Sequence, residues 1–357
     1  MTPPLTLAAD QNSFARVQAR SAELERSIAA APESFRVLTG DRPTGPLHLG
    51  HYFGTLLNRV RLQQAGVEVL VLVADYQVIT DRDRGEDLPE VVTELVLDQL
   101  AAGLDPERTT FFCHSAVPAL NQLLLPLLSL VTVAELHRNP TVKAETAATG
   151  DRPMSGLMLT YPLHQAADIL FCGANLVPVG RDQLPHLELT RTVARRFAHR
   201  YAPVFVQPEA LLGDAPLLLG TDGTKMSKSR GNAVSLRADE DTTAQLFRRA
   251  VTDSERTITY EPQRRREVSG LVLLGALCRG EAPEDFAAAI GGGGATGLKT
   301  AVTEAVNERL RPLRARRAEL AADPTIVREV LRRGNAVANE IAGHTLDRVR
   351  TAMGMRY

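Results

Sequence analysis

Two imidazoles three residues apart, His48 and His51, follow the turn Gly40-Asp41-Arg42-Pro43-Thr44-Gly45-Pro46 and a short apolar run. That spacing puts both rings on one helical face. A helix opening there presents backbone N–H groups and the positive end of its dipole to an anion. Imidazole N–H groups can donate to phosphate oxygens as charge builds on them. Gly50 lets a flat adenine approach the backbone, and Thr44 can add a hydrogen bond. Alone, the segment reads more simply as a helix cap with two surface histidines.

Far along the chain, Lys225-Met226-Ser227-Lys228-Ser229 lies between the turn Thr221-Asp222-Gly223-Thr224 and Arg230-Gly231-Asn232. Two ammonium groups on a mobile, glycine-flanked loop suit a pyrophosphate that needs neutralising only as it leaves. Closure of such a loop would gate the chemistry. Alone, it reads as a solvated charged loop. Both phosphate-directed segments in one chain, in this order, outweigh the two simpler readings.

The elements around these segments come from periodicity. Short apolar runs at Phe35–Thr39, Val67–Val73 and Thr109–Cys113 alternate with helical stretches at about 48–65 and 88–102, which predicts a parallel sheet covered on both faces. Further helices are expected at about 117–130, 162–171 and 181–198. Beyond Ala233 strands fade, and Asp323-Pro324 reads as an N-cap and first helical residue of a helix running towards Met353. Gly291–Gly294 reads as a flexible turn. A helix is also expected over Ala15–Ala31, inside an N-terminal extension.

At 357 residues, with ~100–200 residues per domain, the chain holds two domains and an appended terminus. A formal net charge of -1 argues against charge-driven adhesion to nucleic acid or membrane, so any RNA contact must use a local basic face among the 41 Lys and Arg residues. Cys113, Cys172 and Cys278 are few and widely spaced, which suggests neither a disulfide framework nor a metal site and fits a reducing cytoplasm. No apolar run reaches the roughly 18 residues of a membrane helix, and no export signal is evident, so a cytoplasmic protein is expected.

The chain resembles the class I aminoacyl-tRNA synthetases, whose two signatures match His48–His51 (HLGH) and Lys225–Ser229 (KMSKS). Further matches narrow the resemblance to the tryptophanyl-tRNA synthetases: Pro43-Thr44-Gly45, Tyr161-Pro162, Ala166–Leu170, Val177–Gly180 with Asp182-Gln183, and Ala250–Ser254. It runs from about Phe35 to the C-terminus.

The resemblance implies an α/β fold: a Rossmann-type parallel-sheet catalytic domain over 35–236, after an extension over 1–34, and an all-helical anticodon-binding domain over 237–357 whose last helix packs back on the catalytic domain. It implies a homodimer acting on L-tryptophan, tRNA(Trp) and ATP with Mg²⁺, and no tightly bound cofactor. His48, His51, Lys225 and Lys228 would stabilise phosphate charge. Thr44, Gly50, Met226, Asp182 and Lys143 would complete the ATP site. Asp168 would accept the indole N–H, Gln183 would meet the amino group, and Gln77, Tyr161 and Gln165 would line the amino-acid pocket. No resident metal ion is expected.

Indole offers one donor and no acceptor, so a buried carboxylate on an apolar helix face suits it, at ~1.5–3 kcal/mol for a charged hydrogen bond. Tyrosine and phenylalanine would leave that carboxylate unpaired or mispositioned. Four positions depart from common bacterial members: Gln77 stands for His, His164-Gln165 for Leu-Met, and Glu145 for a lysine. Amides in place of a titratable ring and a thioether change the pocket's polar wall. This raises the expectation of an auxiliary enzyme insensitive to indole analogues such as indolmycin. The rivals are a tyrosyl-type synthetase, a small-molecule nucleotidylyltransferase and a synthetase-derived protein without catalysis.

Overall fold

The structure, a computed structural model, describes residues 5–80, 87–148, 153–213 and 216–357. Its centre is a five-stranded, all-parallel sheet of β1 (Arg36–Asp41), β2 (Glu68–Val73), β3 (Thr109–Cys113), β4 (Leu176–Val179) and β5 (Glu209–Leu212), in the order β3-β2-β1-β4-β5. That order places a switch point between β1 and β4, where the chain reverses its direction of travel across the sheet. β1 pairs with β2 along its full length but with β4 at one register, Val37 with Leu176. The crevice at their C-terminal ends is therefore open.

The apolar runs at Val67–Val73 and Thr109–Cys113 became β2 and β3 because both faces of the sheet are covered. β4 and β5 escaped the sequence reading. Each has four residues, and Pro178 within β4 lacks the donor that marks a strand interior.

The helices are α1 (Leu5–Ala30), α2 (Leu49–His51), α3 (Leu57–Ala65), α4 (Leu88–Ala101), α5 (Pro118–Gln122), α6 (Leu124–Leu128), α7 (Val133–Arg138), α8 (Pro140–Ala148), α9 (Gly156–Phe171), α10 (Leu184–Arg200), α11 (Glu240–Arg248), α12 (Arg266–Arg279), α13 (Pro283–Ile290), α14 (Gly294–Ala321) and α15 (Ile326–Ala352). Several expected boundaries moved. The helix expected from Pro162 begins at Gly156, where Ser155 caps it by accepting from Met158 N at 3.1 Å, so Pro162 lies inside. The stretch expected over 117–130 is two short helices, α5 and α6. Asp323 does not cap α15; it closes a turn by accepting from Thr325 N at 2.8 Å, and the helix starts at Ile326.

α1 is longer than the sequence suggested and folds against β5, burying Leu24 and Ile28 while Leu212 N donates to Ser21 Oγ at 2.9 Å. α15 returns across the sheet to β3. A Cβ on Gly334 would stand 1.8 Å from the Phe111 carbonyl oxygen, so only glycine permits this approach. The three cysteines are buried free thiols. Among the described residues no helix is long and apolar enough to cross a membrane.

Candidate active site

The two phosphate-directed segments, 174 positions apart in sequence, meet because the chain just after KMSKS pairs with the chain just before HLGH. Leu49 N donates to Val234 O at 3.0 Å and Leu236 N to Leu47 O at 2.9 Å. The Nζ of Lys228 then reaches the Gly45 carbonyl at 2.8 Å. Gly45 holds φ at 124°, a conformation other residues rarely adopt.

The histidines behave as neutral donors. Gly50 N donates to His48 Nδ1 at 3.1 Å, and His48 N donates to His51 Nδ1 at 3.2 Å. A backbone N–H can only donate, so each Nδ1 carries the lone pair and each Nε2 the proton. Burial, then the neighbouring charges of His51 and Lys228, holds His48 down at about 3. His51 falls to about 4: burial and the charges of Lys228 and Arg59 outweigh Asp41. Gly50 also serves this cap, since a Cβ there would lie 2.9 Å from His48 Cε1. Immediately after His51 the helix takes one π turn, Tyr52–Leu56, and Thr55 on that turn faces the crevice.

The KMSKS segment grows from a formed hairpin. Gly220 N donates to Thr224 O at 2.8 Å, and Asn232, buried within it, accepts from Ser227 N at 2.8 Å and donates to Lys225 O at 3.2 Å. Any movement of the loop must carry these bonds as a unit. Met226 is buried beside Gly50, whereas Lys225 is exposed.

The crevice between β1 and β4 holds a cavity of about 480 Å³. Of the residues expected to meet the amino acid, Asp168, Gln183, Gln77, Tyr161 and Gln165 all line it, with Gly40 and Asp41 from β1 and Val177–Gly180 from β4. Of the residues expected at ATP, Asp182 is exposed and accepts from Gln183 Nε2 at 2.8 Å. Lys143 is exposed on α8, whose Thr141 lines the cavity. Thr44 sits in the first turn, its N–H on Arg42 O at 2.8 Å. Glu145, noted in the sequence, has a side chain outside the described residues.

Asp168, 4% exposed, accepts from His114 Nε2 at 2.8 Å. The His114 ring stacks on His164, with centroids 4.4 Å apart. Asn121 Nδ2 donates to His114 O at 2.7 Å, which turns its Oδ1 towards His164 Nε2 at 2.8 Å. His164 therefore carries its proton on Nε2 and accepts from Gln77 Nε2 on Nδ1, at 3.1 Å. Burial and the His114 charge keep His164 below the ordinary imidazole value, against Asp168 and Asp75. For His114 burial also opposes charge, but Asp168, its hydrogen bond and Asp75 together raise the value. His114, His164 and Asp168 have ligand atoms within 4.8 Å of one another. His114 Nε2 is bonded to Asp168 and both His164 nitrogens have partners, so the cluster is a hydrogen-bond network in form.

The sequence reading missed His114, Asn121 and His186. His186 is buried on the cavity wall beside Tyr161, three residues after Gln183, and burial holds it at about 4. His114 directly follows β3, and the C-terminal ends of parallel strands are where such sheets place their chemistry.

Residues 31–311 match the model of a family described as tRNA synthetases class I (W and Y). The chain is 43% identical over 332 residues to a tryptophan–tRNA ligase of Treponema pallidum, covering 90% of this chain and 97% of that protein. It is 40% identical over 334 residues to a tryptophan–tRNA ligase of Streptococcus agalactiae, covering 90% and 98%. The fold superposes with a TM-score of 0.78 on a tryptophanyl-tRNA synthetase from Campylobacter jejuni solved with ADP and tryptophan, 28% identical, covering 89% of this chain and 99% of that one.

Proposed function

The chain belongs to the class I tRNA synthetases of the tryptophan and tyrosine type, and from that membership we propose how its cavity chooses its amino acid and drives the reaction. The activity is ATP-dependent activation of L-tryptophan and its transfer to tRNA. Among its rivals, the tyrosyl reading does not hold against relatives that are tryptophan–tRNA ligases along nearly their whole length.

The observation that carries the selectivity proposal is Asp168, a buried carboxylate on the cavity wall beside Gln77, Tyr161 and Gln165. One oxygen is taken by His114, which leaves the other for the indole N–H. Gln183 meets the substrate's amino group. The tryptophan carboxylate attacks the α-phosphorus of ATP in line, forming tryptophanyl-AMP and releasing pyrophosphate. The Nε2–H groups of His48 and His51 and the ammonium groups of Lys225 and Lys228 neutralise the phosphates without moving protons, so positioning and electrostatics supply the rate. Thr44, Gly50, Met226, Asp182 and Lys143 complete the ATP site. The 2′-OH of the terminal adenosine of tRNA(Trp) then attacks the acyl carbonyl and releases AMP.

Mg²⁺ enters as the counterion of the ATP phosphates. The groups gathered at HLGH and KMSKS are imidazoles and ammonium groups, and the nearby Asp41 is engaged by Arg59. The enzyme works in the cytoplasm as a homodimer, its helical domain over 237–357 meeting the anticodon and its last helix returning to the catalytic domain. Asp168→Ala tests the pocket: a loss of tryptophan-dependent exchange through KM is expected, and an unchanged KM would overturn the assignment.

The Gln77–His164–Asn121 chain supports the reading of an auxiliary enzyme insensitive to indole analogues. Gln77 spends one Nε2–H on His164, whose other nitrogen is held by Asn121, so the amide is fixed in place of the titratable ring that an indole analogue would meet. Gln77→His should raise indolmycin sensitivity in an inhibition assay. Equal sensitivity in both proteins would end that reading.

A further inference from the structure

We propose that His114 is a positioning residue for amino-acid selection: it holds Asp168 in the one orientation that offers a single oxygen to the indole N–H. This rests on the reading that Asp168 is the indole acceptor. His114 is fully buried and lies at the C-terminal end of β3, on a different element from the carboxylate it holds. Its Nε2 donates to Asp168 Oδ1 at 2.8 Å. A carboxylate on a helix turns about its last torsion with little resistance, and one fixed donor removes that freedom.

The imidazole is in turn packed against other rings and its backbone is held, with Nδ1 making no hydrogen bond among the described residues. The His164 ring stacks on one face, Tyr76 lies stacked 6.3 Å away, and Asn121 holds the backbone carbonyl of His114 itself. Asp75 anchors the same turn by accepting from Ser115 N at 3.1 Å. Nothing in this arrangement requires His114 to touch the substrate. It acts through Asp168, and preorganisation of that kind strengthens binding of the correct side chain while leaving an analogue without the N–H indifferent.

The test uses the full-length enzyme and ATP–pyrophosphate exchange, with L-tryptophan and an analogue carrying sulfur in place of the indole N–H. In the wild type, tryptophan should have the lower KM by about tenfold or more, the value of a charge-assisted hydrogen bond. His114→Leu should raise the KM for tryptophan towards that of the analogue, with little change in kcat and little change for the analogue. His114→Gln, which carries a donor at the reach of Nε2, should restore the preference. His114→Asn, whose donor stops short of Asp168, should not, and it keeps the test open if the leucine variant fails to fold. A preference retained in His114→Leu or His114→Asn but abolished in Asp168→Ala would overturn the role of His114 while sparing that of Asp168. A wild type that uses both substrates equally, or an Asp168→Ala variant that keeps the preference, would instead overturn the reading of Asp168 on which the proposal stands.

Discussion

The ammonium of Lys228 donates to the carbonyl of Gly45 at 2.8 Å, across 183 residues of sequence. This contact closes the second phosphate-directed segment onto the turn that opens the first, with the histidine cap three residues further on. The cation is thus held beside the proposed phosphate site, while Lys225 stays exposed on the hairpin.

Replacing Lys225 or Lys228 with alanine should therefore lower the rate of adenylate formation by about 10²–10³, the usual cost of removing a group that acts on developing charge. Tryptophan affinity should hold within about threefold, because the contact is made in the transition state. The chain contains no tryptophan, so the ligand's own fluorescence reports its binding. Equal losses in rate and affinity would contradict the assigned role.

Asp98 ties three distant segments together. Fully buried on α4, it accepts from Leu47 N at 3.2 Å, from Arg237 Nε at 2.9 Å and from Arg317 Nε on α14 at 2.8 Å. One carboxylate thus joins the residue before HLGH, the exit of the KMSKS segment and α14. Asp98→Ala leaves Leu47 N without its acceptor and both guanidinium groups with Glu94 alone, at 2.6 Å from Arg237 and 2.5 Å from Arg317, and a loss of roughly 1–3 kcal/mol of stability is expected in denaturant unfolding, the cost of leaving buried donors unpaired. An unfolding midpoint like that of the wild type would show that Glu94 alone suffices to hold both arginines.

Acid should weaken the fold well before carboxylates titrate. His48 sits at about 3, and His51 and His186 at about 4, against about 6.5 when unfolded. Between those values the unfolded chain binds more protons, so stability falls as pH drops from 7 through 4. His114, raised in the fold, works the other way: its contribution is complete below the unfolded value and is lost as pH rises through the folded one. Urea midpoints at pH 7 and pH 5 should differ in favour of pH 7, and His48→Asn, which keeps a capping oxygen, should narrow the gap. An identical gap in both proteins would mean the cap is not a source of the dependence.

Gly334→Ala should separate α15 from the sheet, because its Cβ would stand 1.8 Å from the Phe111 oxygen and backbone cannot step aside. A cost of about 3 kcal/mol, the upper range for overpacking, is expected from thermal unfolding. A melting temperature within a degree or so of wild type would place the helix less tightly than the structure does.

What could be read from the sequence follows physical signal strength. β2 and β3 are continuous apolar runs and were legible; β4 and β5, four residues each with Pro178 among them, were not. The phosphate segments were legible because their residue types are unusual in combination. His114 and Asp98 were not, because a lone histidine after a strand and a lone acid within a helix gain meaning only from distant partners: Asp168 lies 54 positions from His114, and Leu47 and Arg237 lie 51 and 139 positions from Asp98. The gathering of Asp168, Gln183, Gln77, Tyr161 and Gln165 on one cavity required the splay of β1 from β4 after Val37, which no local pattern announces.

The most direct test of the central claim is ATP–pyrophosphate exchange with each of the twenty amino acids in turn, without tRNA. Exchange dependent on tryptophan alone is the expected result, joining the phosphate chemistry to the cavity's selectivity. Exchange with tyrosine, or none at all, would contradict it.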